Sequence, residues 1–278
     1  MEYTEWKWKT NDGLEIHAAD WIPSGKPRGV ICLIHGVGEH IGRYQWTAEA
    51  MVNAGYIFTG FDLRGFGKSQ GPRGFTPSLE TYFDDMDSFL AQVAGRHPGV
   101  PVFLYGHSGG GILVLAYPVV RHPSIAGVIS TGPGLQSQLE TQKFKVLLTK
   151  ILGKLIPSFS FPSGLVVHEI CSDPKVVDAY INDPLVHTTI TTGWGYAMLR
   201  CLAIANQNAP SFPFPLLLMH GGEDKLGFPS GSEAYAKLAP PEKITLKIWQ
   251  GFKHEIHNEP ERAQVYKFMI DWLNNQKS

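Results

Sequence analysis

A serine enclosed by glycines is the feature that most restricts how this chain can fold. The pattern G-x-S-x-G fills residues 106–110, with Ser108 at its centre. Apolar runs precede and follow it at residues 101–105 and 112–116. A buried strand that turns sharply into a helix produces this pattern, because strand and helix pass too close for side chains. The sequence therefore predicts a strand, a turn that exposes the Ser108 hydroxyl, and a helix.

Short apolar runs alternate with helical patterns on both sides of this turn, after a predicted hairpin at residues 5–21. The predicted strands are residues 30–34, 56–61, 101–105, 125–130, 215–219 and 243–249, and the predicted helices include residues 43–54, 79–93, 144–156, 173–182, 230–238 and 260–273. Such alternation is typical of a mostly parallel sheet with helices on both faces. An α/β fold is therefore predicted.

The alternation is interrupted once, where helical patterns occur without a clear buried strand. We predict that residues 135–209 form a helical cap, or lid, inserted between two strands of one sheet. Residues 1–134 and 210–278 would then form a single α/β core. The length of 278 residues suits one large domain of this kind.

Composition excludes several classes of partner. The net charge is −1 and there is no basic run, so no nucleic-acid partner is expected. Cys32, Cys171 and Cys201 are scattered and form neither a disulfide framework nor a zinc ribbon, so a reducing cytoplasm is expected. Neither a metal nor a cofactor is expected. No signal peptide and no run of roughly 20 apolar residues is visible. A cytoplasmic protein is expected, with peripheral membrane contact left open and the oligomeric state not predicted.

Two later loops carry the partners that a serine nucleophile needs. A serine hydroxyl is activated by a histidine that a carboxylate orients, and in the α/β-hydrolase fold the chain order is serine, carboxylate, histidine. The loop after residues 215–219 offers Glu223 and Asp224, and the loop after residues 243–249 offers His254 and His257. The residues alone select the loops but leave both choices open.

Ester hydrolysis also needs preset hydrogen-bond donors for the oxyanion that forms at the carbonyl. Two backbone N–H groups usually serve, and each is worth roughly 3 kcal/mol. The residue after the nucleophile, Gly109, is one predicted donor. Val37, in the glycine-rich loop after residues 30–34, is the other.

Several separated motifs resemble the monoacylglycerol lipase and lysophospholipase family of α/β-hydrolases. Residues 35–44 read H-G-V-G-E-H-I-G-R-Y and match the family signature H-G-x-G-E-H-x-x-R-Y. Residues 61–69, 178–185 and 251–259 are similar to further family motifs. The resemblance runs from about residue 10 to the C-terminus, and it implies an α/β-hydrolase fold with a cap.

The resemblance also implies roles for individual residues. It selects Asp224 as the triad carboxylate and His254 as the base. It further implies that Glu39, Arg43 and His257 bind the glycerol head of a substrate, with Tyr180 contributed by the cap. The sequence departs from the family at Gly109, where methionine is usual, and at Phe66, where histidine is usual.

One predicted helix has two interpretations. Residues 143–156 carry an apolar stripe at positions 144, 147, 148, 151, 152 and 155, with four lysines around it. The stripe could pack against neighbouring parts of the cap or touch a lipid interface and feed an apolar tunnel, and the two roles are compatible.

The resulting hypothesis is a serine hydrolase that cleaves monoacylglycerols into fatty acid and glycerol through an acyl-enzyme. A lysophospholipase, a thioesterase or a general carboxylesterase would use the same triad. A non-catalytic binding protein that keeps the fold is the alternative outside enzymes. Residues 254–257 are one residue short of the zinc motif H-E-x-x-H, which argues against a metal site.

Overall fold

The computed structural model describes residues 1–137 and 142–276. Its strands are β1 Glu2–Lys9, β2 Glu15–Ile22, β3 Val30–Ile34, β4 Ile57–Phe61, β5 Val102–His107, β6 Gly127–Thr131, β7 Ser160–Pro162, β8 Thr189–Thr191, β9 Leu216–Gly221 and β10 Ile244–Trp249. Its α-helices are α1 Gln45–Asn53, α2 Leu79–Arg96, α3 Gly109–Arg121, α4 Lys143–Leu155, α5 Pro174–Asn182, α6 Thr192–Asn208, α7 Pro229–Leu238 and α8 Arg262–Asn274. The six strands predicted after the hairpin are all present, with ends shifted by at most two residues.

Eight strands form one sheet in the order β1-β2-β4-β3-β5-β6-β9-β10. The β1–β2 and β2–β4 pairs are antiparallel, whereas every pair from β4 to β10 is parallel. The predicted mostly parallel sheet is therefore confirmed. Because parallel strands end at one edge, the loops after β3, β5, β9 and β10 meet there, and these loops carry the predicted catalytic residues.

Both faces of the sheet are covered, as the continuous apolar run of β3 requires. Alternate β3 residues enter two separate apolar clusters. Val30, Cys32 and Ile34 join residues of α2, α3 and α6 on one face. Ile31 and Leu33 join residues of α1 and α8 on the other.

The chain between β6 and β9 contains α4, α5 and α6 together with the short antiparallel pair β7 and β8. The sequence missed this pair, because three residues are too few to show a strand periodicity. Helix α6 packs into the same apolar cluster as α2 and α3 through Ala197, Met198, Cys201 and Ala205. The division into core and cap at residues 135–209 stays a prediction.

The apolar stripe of α4 is mostly exposed. Five of its six side chains lie in solvent, namely Phe144, Leu147, Leu148, Ile151 and Leu155. The opposite face packs on α6, where a Cβ on Gly153 would overlap the Tyr196 side chain. Packing therefore accounts for one face of the helix, and the stripe itself faces outward. Across residues 1–137 and 142–276, none of the helices combines the length and the apolar character that crossing a membrane requires.

Candidate active site

Ser108 occupies a strained turn between β5 and α3. Its φ of 54° and ψ of −115° define a backbone conformation that residues other than glycine rarely adopt. A Cβ on Gly106 would overlap the carbonyl oxygen of Gly110, so the strand and the helix cross at a point that admits only glycine. The Ser108 side chain is half-buried rather than enclosed. The turn therefore presents the hydroxyl at the sheet edge, as the glycine pattern predicts.

The adjacent glycines of this turn should respond differently to alanine. A Cβ on Gly109 would lie 3.7 Å from Val37 N and 3.8 Å from Trp194 Cζ2, which are ordinary contacts. A Cβ on Gly110 would overlap the Ile34 carbonyl oxygen. We expect Gly109→Ala to change the free energy of unfolding by less than about 1 kcal/mol, and Gly110→Ala to lower it by about 3 kcal/mol or more. Urea unfolding measures both, and equal losses would contradict this geometry.

Asp224 and His254 form a buried hydrogen-bonded pair. The Nδ1 atom of His254 lies 2.7 Å from Oδ2 of Asp224. The same oxygen lies 2.9 Å from Nε2 of His220. The other carboxylate oxygen accepts from the backbone N–H groups of Leu226, at 2.8 Å, and Gly227, at 3.0 Å. Both oxygens are thus fixed by the protein, and Nε2 is the remaining ring nitrogen of His254.

The loops after β9 and β10 bring this pair together. A Cβ on Gly221 would overlap the carbonyl oxygen of Lys253, so the two loops pack backbone to backbone. Asp224 is 4% exposed, whereas the adjacent Glu223 lies in solvent. Of the two carboxylates that the sequence left open, the structure places Asp224 against His254.

The rings of three histidines lie next to the serine turn. His107 directly precedes Ser108, and its ring centroid lies 4.8 Å from that of His254 and 4.7 Å from that of His257. Its Nδ1 lies 3.1 Å from the backbone and side-chain oxygens of Thr131. His107 therefore packs between the serine turn and the loop after β10, against the rings of His254 and His257.

The electrostatics of the site differ sharply among these histidines. Burial lowers the pKa of His107 and that of His257 to about 3. Burial also acts to lower the pKa of His254, but the charge and the hydrogen bond of Asp224 outweigh it and raise the pKa above 6.5. Burial acts to raise the pKa of Asp224, and the charge and hydrogen bonds of His254 and His220 hold it below its usual range. The pair is therefore arranged to stabilise a positive charge on His254.

The acid limb of the pH profile should reflect this raised pKa. With His254 as the predicted base for Ser108, the imidazole must be neutral to accept the proton, so activity is expected to fall as the pH drops through the pKa of His254. We expect the acid midpoint of kcat/KM to lie above 6.5, the ordinary histidine value. Initial rates on an uncharged ester, measured from roughly pH 5 to pH 9, give this acid midpoint. A midpoint at or below the ordinary value would contradict the proposed electrostatics.

The two predicted oxyanion donors lie beside each other. A Cβ on Gly109 would lie 3.7 Å from Val37 N, and a Cβ on Gly36 would lie 3.1 Å from Ser108 Cβ. The N–H of Gly109 opens helix α3, so it has no partner within the helix and lies at the positive end of its dipole. The Val37 N–H donates to no backbone carbonyl of the described residues. Both groups suit an anionic oxygen next to Ser108.

Phe66, the second departure from the family, is a buried packing residue. Its ring stacks on that of His187, with centroids 4.9 Å apart, and meets the edge of His35 at 5.9 Å. The backbone N–H of His187 donates to the carbonyl of Gly38 at 3.1 Å. Phe66 thus supports the contact between the loop after β3 and the segment that leads into β8.

The four residues with implied head-group roles fall into two pairs. Glu39 and Arg43 bind each other, with Arg43 Nη1 donating to Glu39 Oε2 at 2.7 Å. Tyr180 and His257 instead have polar atoms without a partner in the described part of the chain, namely the Tyr180 hydroxyl and both His257 ring nitrogens. A Cβ on Gly38 would lie 3.1 Å from that hydroxyl, so Tyr180 reaches the loop after β3.

Three further polar residues belong to the site and were not singled out from the sequence. The carboxylate of Glu255 accepts hydrogen bonds from both terminal nitrogens of Arg43. His220 contacts Asp224, and the Tyr44 hydroxyl donates to Glu39 at 2.7 Å. All three lie in or beside the motifs already identified. Glu255 and Tyr44 directly follow His254 and Arg43 in the chain, and His220 lies just before the loop that carries Asp224, but sequence spacing does not show which atoms meet.

The sheet order and the strained serine turn define the class of this protein as an α/β-hydrolase. A family model described as serine aminopeptidase, S33, matches residues 25–261, and the chain belongs to this family. The resemblance to the monoacylglycerol lipases is confirmed by relatives that cover nearly the whole chain, and these relatives show a carboxylic ester hydrolase.

Three similar proteins illustrate the relationship. A monoacylglycerol lipase of Mycolicibacterium smegmatis is 32% identical over 94% of this chain and 93% of its own. The crystal structure of a monoacylglycerol lipase of Paleococcus ferrophilus has a TM-score of 0.83, with 33% identity and 98% of both chains covered. An uncharacterized abhydrolase domain-containing protein of Dictyostelium discoideum is 34% identical over 96% of this chain, which spans 28% of that longer protein.

Proposed function

We propose that this protein hydrolyses the ester bond of monoacylglycerols, releasing a fatty acid and glycerol, through an acyl-enzyme on Ser108. The observation that carries the proposal is the buried 2.7 Å contact of His254 with Asp224 beside the strained serine turn. His254 takes the Ser108 proton as the hydroxyl oxygen attacks the ester carbonyl. Asp224 orients the imidazole and stabilises its positive charge.

The remaining steps use the same groups. The N–H groups of Val37 and Gly109 hold the oxyanion while the carbonyl carbon is tetrahedral. The intermediate collapses as His254 gives its proton to the departing glycerol oxygen. A water molecule then repeats the cycle on the acyl-enzyme, with His254 again as base, and the fatty acid leaves.

The substrate class is inferred from what surrounds the turn. Residues 135–209 are proposed to form a cap over it, and Trp194 and Met198 of this segment lie near Gly109, with atoms 3.8 and 3.9 Å from a Cβ built there. These apolar side chains suit an acyl chain, and each buried CH₂ contributes roughly 0.8 kcal/mol. The unpartnered polar atoms of Tyr180 and His257 suit glycerol hydroxyls, whereas Glu39 and Arg43 already bind each other.

A substrate panel with one acyl chain tests the proposal. The panel pairs a monoacylglycerol with the matching lysophospholipid, acyl thioester and methyl ester, together with a short-chain ester. We expect the highest kcat/KM on the monoacylglycerol and a rise with acyl length of about fourfold per methylene over short chains. Preference for short soluble esters, with no gain from a glycerol head, would favour a general carboxylesterase instead.

We further propose that the exposed stripe of α4 rests on the lipid surface that supplies the substrate. Phe144 and Leu155 are 76% and 73% exposed, and the lysines of α4 beside them lie in solvent. Apolar side chains flanked by lysines suit an anionic bilayer.

A paired charge substitution tests this membrane contact. Leu147, on the stripe, and Leu238, at the end of α7, are exposed to a similar extent, 54% and 56%. We expect Leu147→Glu to weaken co-sedimentation with anionic vesicles by about tenfold, since a charge replaces an apolar contact, and Leu238→Glu to leave it unchanged. Equal behaviour of the two variants would contradict the proposal.

A further inference from the structure

Both carboxylate oxygens of Glu39 accept hydrogen bonds from the protein itself. Its Oε1 accepts from the backbone N–H of Gly36 and from the Tyr44 hydroxyl, each at 2.7 Å. Its Oε2 accepts from Arg43. The Gly36 N–H belongs to the peptide directly before the Gly36–Val37 peptide, so the Glu39 carboxylate restrains the loop next to the proposed oxyanion donor.

Arg43 continues the connection to the loop that carries His254. Its two terminal nitrogens donate to the two carboxylate oxygens of Glu255 at 2.7 and 2.8 Å. Glu255 directly follows His254 in the chain, and Asn258 Nδ2 donates to one of its oxygens at 2.7 Å. A bidentate arginine–carboxylate contact restricts both distance and orientation, so the position of Glu255 is set by Arg43.

The same guanidinium also contacts the segment between β6 and β9. The Tyr180 ring lies 4.5 Å from Arg43 Cζ. The backbone N–H of Glu255 donates to the carbonyl of Ile170 at 2.7 Å. Three separate parts of the chain are therefore held together at Arg43: the loop after β3, the loop after β10 and the segment that contains α5.

These charges are buried, so each depends on the others. The side chains of Glu39, Arg43 and Glu255 are 3%, 8% and 3% exposed. A buried ion that loses its partner is strongly unfavourable, so the three side chains adopt one joint arrangement. Both oxygens of the Glu39 carboxylate already accept hydrogen bonds from the protein. Glu39 therefore has little remaining capacity to accept a hydrogen bond from a substrate hydroxyl, as its implied head-group role would need.

We propose that Glu39, Arg43 and Glu255 form a positioning unit, the Arg43 clamp, which fixes the Val37 N–H and His254 relative to Ser108. The inference rests on the proposed function, since it assigns these residues to the same reaction. The clamp residues act through Val37 and His254 and not on the substrate. Misplacing a catalytic group by about 1 Å lowers rates on the order of 100-fold, and that is the effect the clamp prevents.

The test compares two esters of one acyl chain, a monoacylglycerol and a p-nitrophenyl ester that lacks glycerol. Glu39→Gln keeps the size of the side chain and removes the ion pair with Arg43. Arg43→Lys keeps a long cationic side chain and removes the bidentate contact with Glu255. We expect each variant to lower kcat on the order of 100-fold on both esters, with KM changed by less than about threefold. Active sites are titrated with a fluorophosphonate so that kcat refers to folded protein alone.

A matched variant controls for the loss of a buried ion pair in general. Arg64 donates to Asp85 at 2.6 and 2.7 Å and is 3% exposed, so it resembles Arg43 in burial and geometry. We expect Arg64→Lys to lower the melting temperature while kcat per titrated site stays within about threefold of wild type. In the described part of the chain the hydrogen bonds of Arg64 go to Asp12 and Asp85, outside the loops that carry the proposed catalytic residues.

Three outcomes would overturn the clamp. One is a loss confined to the monoacylglycerol and seen in KM, which would assign Glu39 and Arg43 to glycerol binding. Another is wild-type kcat in both variants, and the third is an equal loss in Arg64→Lys. The p-nitrophenyl ester carries this test even if the wild-type protein shows no preference for monoacylglycerols, so failure of the proposed substrate and failure of the clamp give different results.

Discussion

Replacing Ser108 with alanine is expected to lower kcat by about 10⁶-fold on every ester substrate, as for the loss of a triad nucleophile elsewhere. Without the hydroxyl no acyl-enzyme forms, and the buried His254–Asp224 pair has no proton to accept from the protein. Fatty acid release from a monoacylglycerol, followed by chromatography, measures the change. Alanine keeps the Cβ and its strained backbone, so the fold should be unaffected.

Ser88→Ala is the matched control for this variant. The Ser88 hydroxyl donates to the Asp84 carbonyl within α2, and this helix carries none of the proposed catalytic residues. Full activity is expected for it. Near-normal ester hydrolysis by Ser108→Ala, with this control also active, would remove Ser108 from the mechanism.

Replacing Asp224 with asparagine is expected to lower kcat by about 10⁴-fold, because the amide no longer stabilises the His254 charge and favours the wrong tautomer. The neighbouring Glu223 lies in solvent. In the described part of the chain its side chain contacts neither His220 nor His254, the two histidines that bind Asp224. Glu223→Gln should therefore retain wild-type kcat. Steady-state rates on a soluble ester compare the two variants directly, and thermal unfolding checks that both are folded.

Opposite results in this pair would reassign the carboxylate. A large loss in Glu223→Gln, together with an active Asp224→Asn, would mean that the loop rearranges before catalysis. An equal, small loss in both would mean that His254 works without an oriented carboxylate.

Local patterns predicted much of this protein because the relevant forces are local. The run of β3 is apolar at every residue and is buried on both faces, so its sequence alone identified a central strand. The glycines around Ser108 predicted a strand–turn–helix, since steric overlap there allows no side chain. The chain order then predicted which two loops carry the carboxylate and the histidine, without choosing between the candidates in each loop.

Contacts between distant parts of the chain were not predictable from these patterns. Local patterns do not distinguish Asp224 from Glu223. The family resemblance selected Asp224, and the packing of two loops is what places it against His254. Glu255 pairs with a guanidinium more than 200 positions earlier, and its role depends on a contact that spacing does not reveal. The exposure of the α4 stripe was likewise open, because an amphipathic pattern does not say what its apolar face meets.

A single labelling experiment tests the central claim most directly, namely that Ser108 is the nucleophile of an enzyme that accepts long acyl chains. The protein is incubated with a fluorophosphonate carrying a long alkyl chain, with and without excess monoacylglycerol, and its peptides are mapped by mass spectrometry. We predict one adduct, on the peptide that contains Ser108, slowed by the monoacylglycerol and absent in Ser108→Ala. An adduct on another residue, or active protein that takes no label, would contradict the account.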